Sequence, residues 1–67
     1  MLMAFVVTLH HDPGVPESYL VESATDKWDA RAQVLADIGY NPGVPITVGP
    51  VPRGGCVTDH TITAGAK

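Results

Sequence analysis

A single cysteine, Cys56, in a chain of 67 residues restricts how this protein can be stabilised more than any other feature of its sequence. A domain of this size buries only about 60% of the surface that its unfolded chain exposes, so its hydrophobic core is small. Small domains commonly add disulfides, a structural metal or association with another chain. One cysteine excludes an internal disulfide and a paired-thiol redox motif. We therefore expect contact with another protein chain to help cover the apolar surface of this domain.

The charge and hydropathy of the chain disfavour two classes of partner. The formal net charge is −3, and the few fixed cations form no basic stripe that would neutralise the phosphates of a nucleic acid. The apolar opening MLMAFVVTL carries no positive charge and runs into HHDP without a small-residue cleavage site, so we interpret it as a strand and not as a signal peptide. No run approaches the roughly 20 apolar residues that cross a bilayer. We expect a soluble protein that binds neither nucleic acid nor membrane.

Two strands joined by a turn are predicted at the start of the chain. Residues 3–11 are rich in β-branched side chains, and every second residue from Phe5 falls on a face that we expect to be buried. Residues 18–23, SYLVES, form the second predicted strand. Between them, Pro13 and Gly14 of the pentapeptide DPGVP suit the two central positions of a type II turn. The pattern predicts an antiparallel hairpin.

The clearest element is a helix within TDKWDARAQVLADIGY, residues 25–40. Thr25 is the predicted N-cap, Gly39 is placed to end the helix in the left-handed conformation, and Pro42 prevents continuation. A second pentapeptide, NPGVP, follows at residues 41–45. A strand precedes the first pentapeptide and a helix precedes the second, whereas a true duplication would also repeat the flanking pattern. We therefore interpret the repeat as one turn chemistry used twice.

The remaining residues complete a small α+β domain. Residues 44–52, VPITVGPVP, form a predicted third strand at a sheet edge, because proline cannot donate ladder hydrogen bonds. Residues 56–63, CVTDHTIT, supply a possible fourth strand. The order ββαβ(β) predicts a two-layer fold in which one helix packs on a three- or four-stranded, mainly antiparallel sheet. We place the single domain at residues 1–63 and a flexible C-terminal tail at residues 64–67.

Two surfaces are candidate protein contacts. The apolar arc of the helix is wider than one face of such a sheet requires, and tryptophan is common among interface anchors. An ordinary helix with a broad apolar stripe is the alternative. The last segment can pair within its own sheet or extend as an arm to the sheet of a neighbour. The candidate contact residues are Trp28, Val34 and Ile38 on the helix and Val57, Thr61 and Ile62 in the last segment.

Residue types that bind zinc occur in two groups, one before the predicted hairpin turn and one in the last segment. They are His10, His11, Asp12, Cys56, Asp59 and His60. Adjacent histidines on a strand point to opposite faces, and residues four apart, such as Cys56 and His60, stand roughly 13 Å from each other. We therefore expect no metal site and no other cofactor. No nucleophile beside an oriented histidine and no phosphate-binding glycine loop is recognisable, so we expect no enzymatic activity.

These patterns favour a non-enzymatic module for protein–protein interaction or structural assembly, which binds itself as a homo-oligomer or joins a larger assembly. Its usage of Val, Ala, Gly, Pro and Asp is typical of a GC-rich genome, such as that of an actinobacterium or one of its phages. The concrete form of the hypothesis is a small virion component, either capsid or tail accessory, and otherwise a cytoplasmic protein. Two alternatives stay open. One is a cytoplasmic regulator whose acidic helix face, Asp26, Asp29 and Asp37, contacts a basic partner. The other is a metal-binding module.

Overall fold

A computed structural model describes residues 2–55 and 57–62, in which four strands and one helix follow in the order ββαββ. The strands are β1 (Met3–Leu9), β2 (Glu17–Ala24), β3 (Ile46–Pro50) and β4 (His60–Ile62), and the helix α1 spans Lys27–Ile38. The predicted small α+β domain is confirmed.

The strands form one mixed sheet in the order β3-β1-β2-β4. Strand β1 pairs antiparallel with β2 and with β3, and β2 pairs parallel with β4. The helix on a mainly antiparallel sheet and the edge position of β3 are therefore confirmed. Residues 60–62 pair within the chain's own sheet, over a shorter stretch than the predicted 56–63. Cys56, the domain boundary at residue 63 and the tail at 64–67 lie outside the described residues.

Helix α1 covers one face of the sheet, and the core lies between the two layers. Alternation along β1 buries Phe5, Val7 and Leu9 under the helix and places Val6 and Thr8 on the opposite face, where they are half-buried. Each fully buried valine or leucine stabilises the fold by about 1.5–3 kcal/mol. The buried core residues are Phe5, Val7, Leu9, Tyr19, Val21, Ala24, Ala30 and Val34.

The helix begins one residue later than the sequence predicts. Asp26, and not Thr25, is the N-cap: its backbone is extended at φ −160°, and its Oδ1 accepts the N–H of Asp29 at 2.8 Å. Asp29 Oδ2 in turn accepts the N–H of Thr25 at 2.9 Å. The prediction was wrong because threonine and aspartate both cap well, and only Asp26 allows this reciprocal pair. Gly39 ends the helix as predicted, with φ 84° and its N–H bonded to the Leu35 carbonyl.

The two pentapeptides lie at one end of the sheet but adopt different backbones. Gly14 has φ 142°, far from the value near +80° that a type II turn requires, so the predicted type II turn is wrong. The chain folds tightly against itself here, since a Cβ on Gly14 would lie 3.1 Å from the Cβ of His11. In the second copy, Asn41 Oδ1 accepts the N–H of Gly43, whose φ is 71°. Both copies lie at chain reversals, as predicted, but their backbone geometries differ, so the interpretation of one turn chemistry used twice is wrong.

Candidate interaction surfaces

Trp28 is a large aromatic side chain that the fold leaves 68% exposed. The buried stripe of α1 runs through Ala30 and Val34, and at 100° per residue Trp28 points away from that stripe. The Lys27 Nζ lies 5.4 Å from the centroid of its ring, a cation–π contact that contributes about 0.5–1 kcal/mol at an exposed site. Trp28 is the single tryptophan of the chain. Most of its side chain therefore lies outside the core.

Val34 is not available to a partner. It is fully buried in the core, so its assignment as a contact residue is wrong. Ala30, Val34 and Ile38 follow one another at intervals of four residues, and this stripe faces the sheet. Ile38 is half-buried at the border of the same core. Of the three helical candidates, Trp28 alone is mostly exposed.

The candidates in the last segment also differ in exposure. Val57 is fully exposed in the connection that precedes β4, and Thr61 is exposed on β4. Ile62 lies opposite Val21 in the parallel pairing and packs against the core. Val57 and Thr61 are therefore accessible, whereas Ile62 is largely occupied within its own fold.

The sheet face opposite the helix carries a groove of about 340 Å³, which we call the open-face groove. Side chains of β1 and β3 line it together with Pro52, Val57 and Thr58, which lie between β3 and β4 in the chain. Its lining is uncharged and combines aliphatic side chains with threonine hydroxyls. Gly49 contributes no side chain, and a Cβ there would meet nothing within 4 Å. The lining residues are Val6, Thr8, Thr47, Val48, Gly49, Pro50, Pro52, Val57 and Thr58.

The free edge of β3 offers little to an added strand. The His10 N–H donates to the Pro45 carbonyl at 2.9 Å, so His10 and Pro45 form a hydrogen-bonded pair of the antiparallel ladder between β1 and β3. Hydrogen-bonded pairs recur at every second position in an antiparallel ladder, so Ile46 and Val48 direct their N–H groups outwards. Pro50, the next outward position, has no N–H. Two outward donors between prolines are typical of an edge protected against strand addition.

A carboxylate lies between two histidines at the end of the sheet that holds the β1–β2 loop. Glu17 Oε2 is 2.7 Å from His60 Nε2, and Glu17 Oε1 is 3.4 Å from His11 Nε2. The hydrogen bond with His60, helped by the one with His11, lowers the pKa of Glu17 against the opposing effect of desolvation. Tyr19 stacks on the ring of His60 at 4.5 Å between centroids, and burial raises the pKa of its hydroxyl. This cluster ties β4 to the hairpin.

The other zinc-type residues do not join that cluster. His10 Nε2 lies 2.8 Å from Thr47 Oγ1 on β3, so the adjacent histidines contact strands on opposite sides of β1. Asp59 Oδ2 accepts the N–H of Ser18 at 2.9 Å and helps to seat β4. Within residues 2–55 and 57–62, no group of three His, Cys, Asp or Glu side chains is arranged to hold a metal ion. Cys56 lies outside the described residues.

Glu17 is the residue of this cluster that the sequence did not single out. His11 and Glu17 flank the hairpin loop, so their proximity follows from the predicted hairpin. The approach of His60 depends on the pairing of β4 with β2, for which the residues around His60 carry no local signal.

Comparisons with models of protein families, with curated proteins and with solved structures find no match to this chain. In the part of the chain that the structure describes, no helix combines the length and the apolar character needed to span a bilayer.

Proposed function

We propose that this protein is a non-enzymatic module for protein–protein interaction, which assembles with copies of itself or with a larger structure. The observation that carries this proposal is Trp28, 68% exposed on the outer side of α1 in a domain with a small core. A tryptophan buries about 150–250 Å² when fully covered, so roughly 100–170 Å² of Trp28 is left for a partner. At about 25 cal/mol per Å², covering it contributes about 2.5–4 kcal/mol before the costs of association.

Four further apolar side chains are exposed at the two ends of the sheet. Leu2 and Met3 lie at the end of the sheet where α1 begins, because Met3 pairs with Ala24, the last residue of β2. Val15 and Tyr40 lie at the opposite end, in the hairpin loop and just after α1. The amino-acid usage is typical of a GC-rich genome, such as that of an actinobacterium or one of its phages. A small virion component, such as a capsid or tail accessory protein, is therefore the concrete form of this proposal.

The acidic helix face gives weaker support to a regulator that binds a basic protein. Asp26 and Asp29 each accept a backbone N–H at the start of α1, so both carboxylates already stabilise the helix. Asp37 is exposed and stands apart from them by more than two helical turns. The three carboxylates therefore do not act as one free acidic patch, and assembly is the function that the surfaces support better.

Light scattering of the purified chain over a wide concentration range tests the proposal. We expect a mass of 7.0 kDa at low concentration and a rise to multiples of it at high concentration. Trp28→Ser should move the rise to at least tenfold higher concentration, with circular dichroism confirming that the fold is kept. A constant 7.0 kDa for the wild-type chain at every concentration would contradict self-assembly.

A further inference from the structure

We propose that Trp28 of one copy inserts into the open-face groove of a second copy, so that the chains associate head to tail. This inference rests on the proposed function and specifies its partner and its contact. Four observations carry it: the size of the groove, the chemistry of its lining, the charges beside the two surfaces, and their placement on opposite sides of the sheet.

The groove is large enough for an indole. Its volume of about 340 Å³ exceeds the apolar cavity of about 150 Å³ that holds a benzene molecule, and an indole adds only a fused five-membered ring to benzene. The missing side chain of Gly49 leaves the floor of the groove open. Most of the Trp28 side chain is exposed on the helix, so it is free to enter such a groove.

The lining matches both parts of a tryptophan side chain. Aliphatic groups, such as Val6 and Pro52, provide apolar surface for the rings. The hydroxyls of Thr8, Thr47 and Thr58 can accept the indole N–H, which needs a hydrogen-bond partner once it leaves water. An uncharged groove with a few acceptors favours an aromatic side chain with one donor over a charged one.

Charges of opposite sign lie beside the two surfaces. Asp26 is exposed two residues before Trp28 and uses Oδ1 for the N-cap, so its second oxygen can accept a bond from a guanidinium. Arg53 is exposed directly after Pro52, which lines the groove. The ammonium of Lys27 also lies beside Trp28, 5.4 Å from the centroid of its ring, so docking must turn the Asp26 side of Trp28, and not the Lys27 side, towards Arg53. An exposed pair of this kind orients the encounter more than it strengthens the complex.

The positions of the two surfaces determine the symmetry of the contact. Trp28 belongs to the helical layer, whereas the groove lies on the opposite face of the sheet, so a chain cannot fill its own groove. Two copies related by a twofold axis cannot each insert Trp28 into the groove of the other. Each copy would have to turn both its helical layer and its open sheet face towards the same partner. The contact is therefore heterologous, and its repetition generates a ring or a filament.

Two substitutions separate the halves of this contact. Trp28→Ala removes the inserted side chain at an exposed site. Gly49→Leu fills the groove, and the fold should accept it, because Gly49 does not have a left-handed φ and a Cβ there meets nothing within 4 Å. Gly49→Ala, which adds one methyl group, is the matched control for the groove. Tyr40→Ala, at an aromatic side chain 65% exposed at the other end of the domain, is the control for the tryptophan.

Sedimentation velocity of the four variants, alone and mixed, tests the proposal, with circular dichroism verifying each fold. The wild-type chain and both controls should assemble, whereas Trp28→Ala and Gly49→Leu alone should stay monomeric to at least tenfold higher concentration. An equimolar mixture of those two should form a complex of two chains that grows no further, since one retains a groove and the other retains a tryptophan.

The alternative outcomes overturn the proposal in distinguishable ways. If the wild-type chain and both test variants assemble equally, the proposed function stands and the docking of Trp28 in the groove is wrong. A mixture that stays monomeric also refutes the docking. If Gly49→Leu abolishes binding of a small apolar fluorescent probe and leaves assembly unchanged, the groove is a ligand site and not a docking site. A wild-type chain that is monomeric throughout contradicts both the docking and the self-assembly on which it rests.

Discussion

Replacing Val34 by alanine tests whether the i, i+4 stripe of α1 belongs to the core. Val34 is fully buried, and the change removes two methyl groups that contribute about 0.8 kcal/mol each. The cavity left behind raises the loss to about 2–3 kcal/mol. A domain of this size rarely has more than about 3–5 kcal/mol of stability, so roughly half of it should disappear. At about 4–8 °C per kcal/mol, the melting temperature should fall by about 10–20 °C.

Thermal and urea unfolding of dilute protein, followed by far-UV circular dichroism, measures this loss. Val15→Ala is the matched control, because the same atoms are removed from a side chain that is 81% exposed, and its effect should stay within about 0.5 kcal/mol. At temperatures where both variants are folded, both should associate like the wild-type chain. Equal losses at Val34 and Val15 would refute the core position, and weakened association with unchanged stability would restore Val34 as a contact residue.

Three further changes test the caps and the carboxylate cluster. Asp26→Ala should lower the free energy of unfolding in urea by about 1 kcal/mol, because Asp26 supplies the N-cap. Thr25→Ala should lower it clearly less, and the reverse order would restore Thr25 as the N-cap. Gly39→Ala should lower the free energy of unfolding by about 1–2 kcal/mol, because Gly39 has a left-handed φ of 84°. Gly49→Ala should leave the stability unchanged or raise it slightly, and equal melting temperatures of the two variants would contradict this difference. Because the pKa of Glu17 is lowered, its ionised form stabilises the fold above the ordinary value of 4.5, and this contribution is lost as pH falls through the lower folded pKa. Glu17→Gln should therefore flatten the acid limb of melting temperature against pH, and an unchanged limb would exclude the link.

The helix was the most predictable element because several local signals agree on it. Its C-terminus follows from Gly39 and Pro42, and both act through their own backbone geometry. The N-cap was misplaced by one residue because Thr25 and Asp26 are both suitable. The orientation of the helix was harder to predict, since an apolar arc wider than the sheet requires leaves open which part is buried. Packing against β1 and β2 selects the stripe through Val34, and a sequence pattern alone does not contain that contact.

The pairing of the last strand was open at the sequence level for a different reason. Strand β4 has only three residues, and its parallel partner β2 is separated from it by the helix and β3. So short a strand is held in position by side-chain hydrogen bonds to β2, such as those between Asp59 and Ser18 and between His60 and Glu17. The open-face groove is lined in part by Pro52, Val57 and Thr58, which follow β3 in the chain and lie against side chains of β1 and β3. Both features are consequences of topology, and neither leaves a periodic signal in the sequence.

Trp28 is left exposed by its own fold, and we propose that another chain covers it. Because the chain has a single tryptophan, its fluorescence emission and its quenching by acrylamide report on that side chain directly. As concentration rises through the range where mass increases, the emission should shift to shorter wavelength and quenching should weaken. An emission maximum typical of an indole in water, with unchanged quenching at every concentration, would contradict the claim.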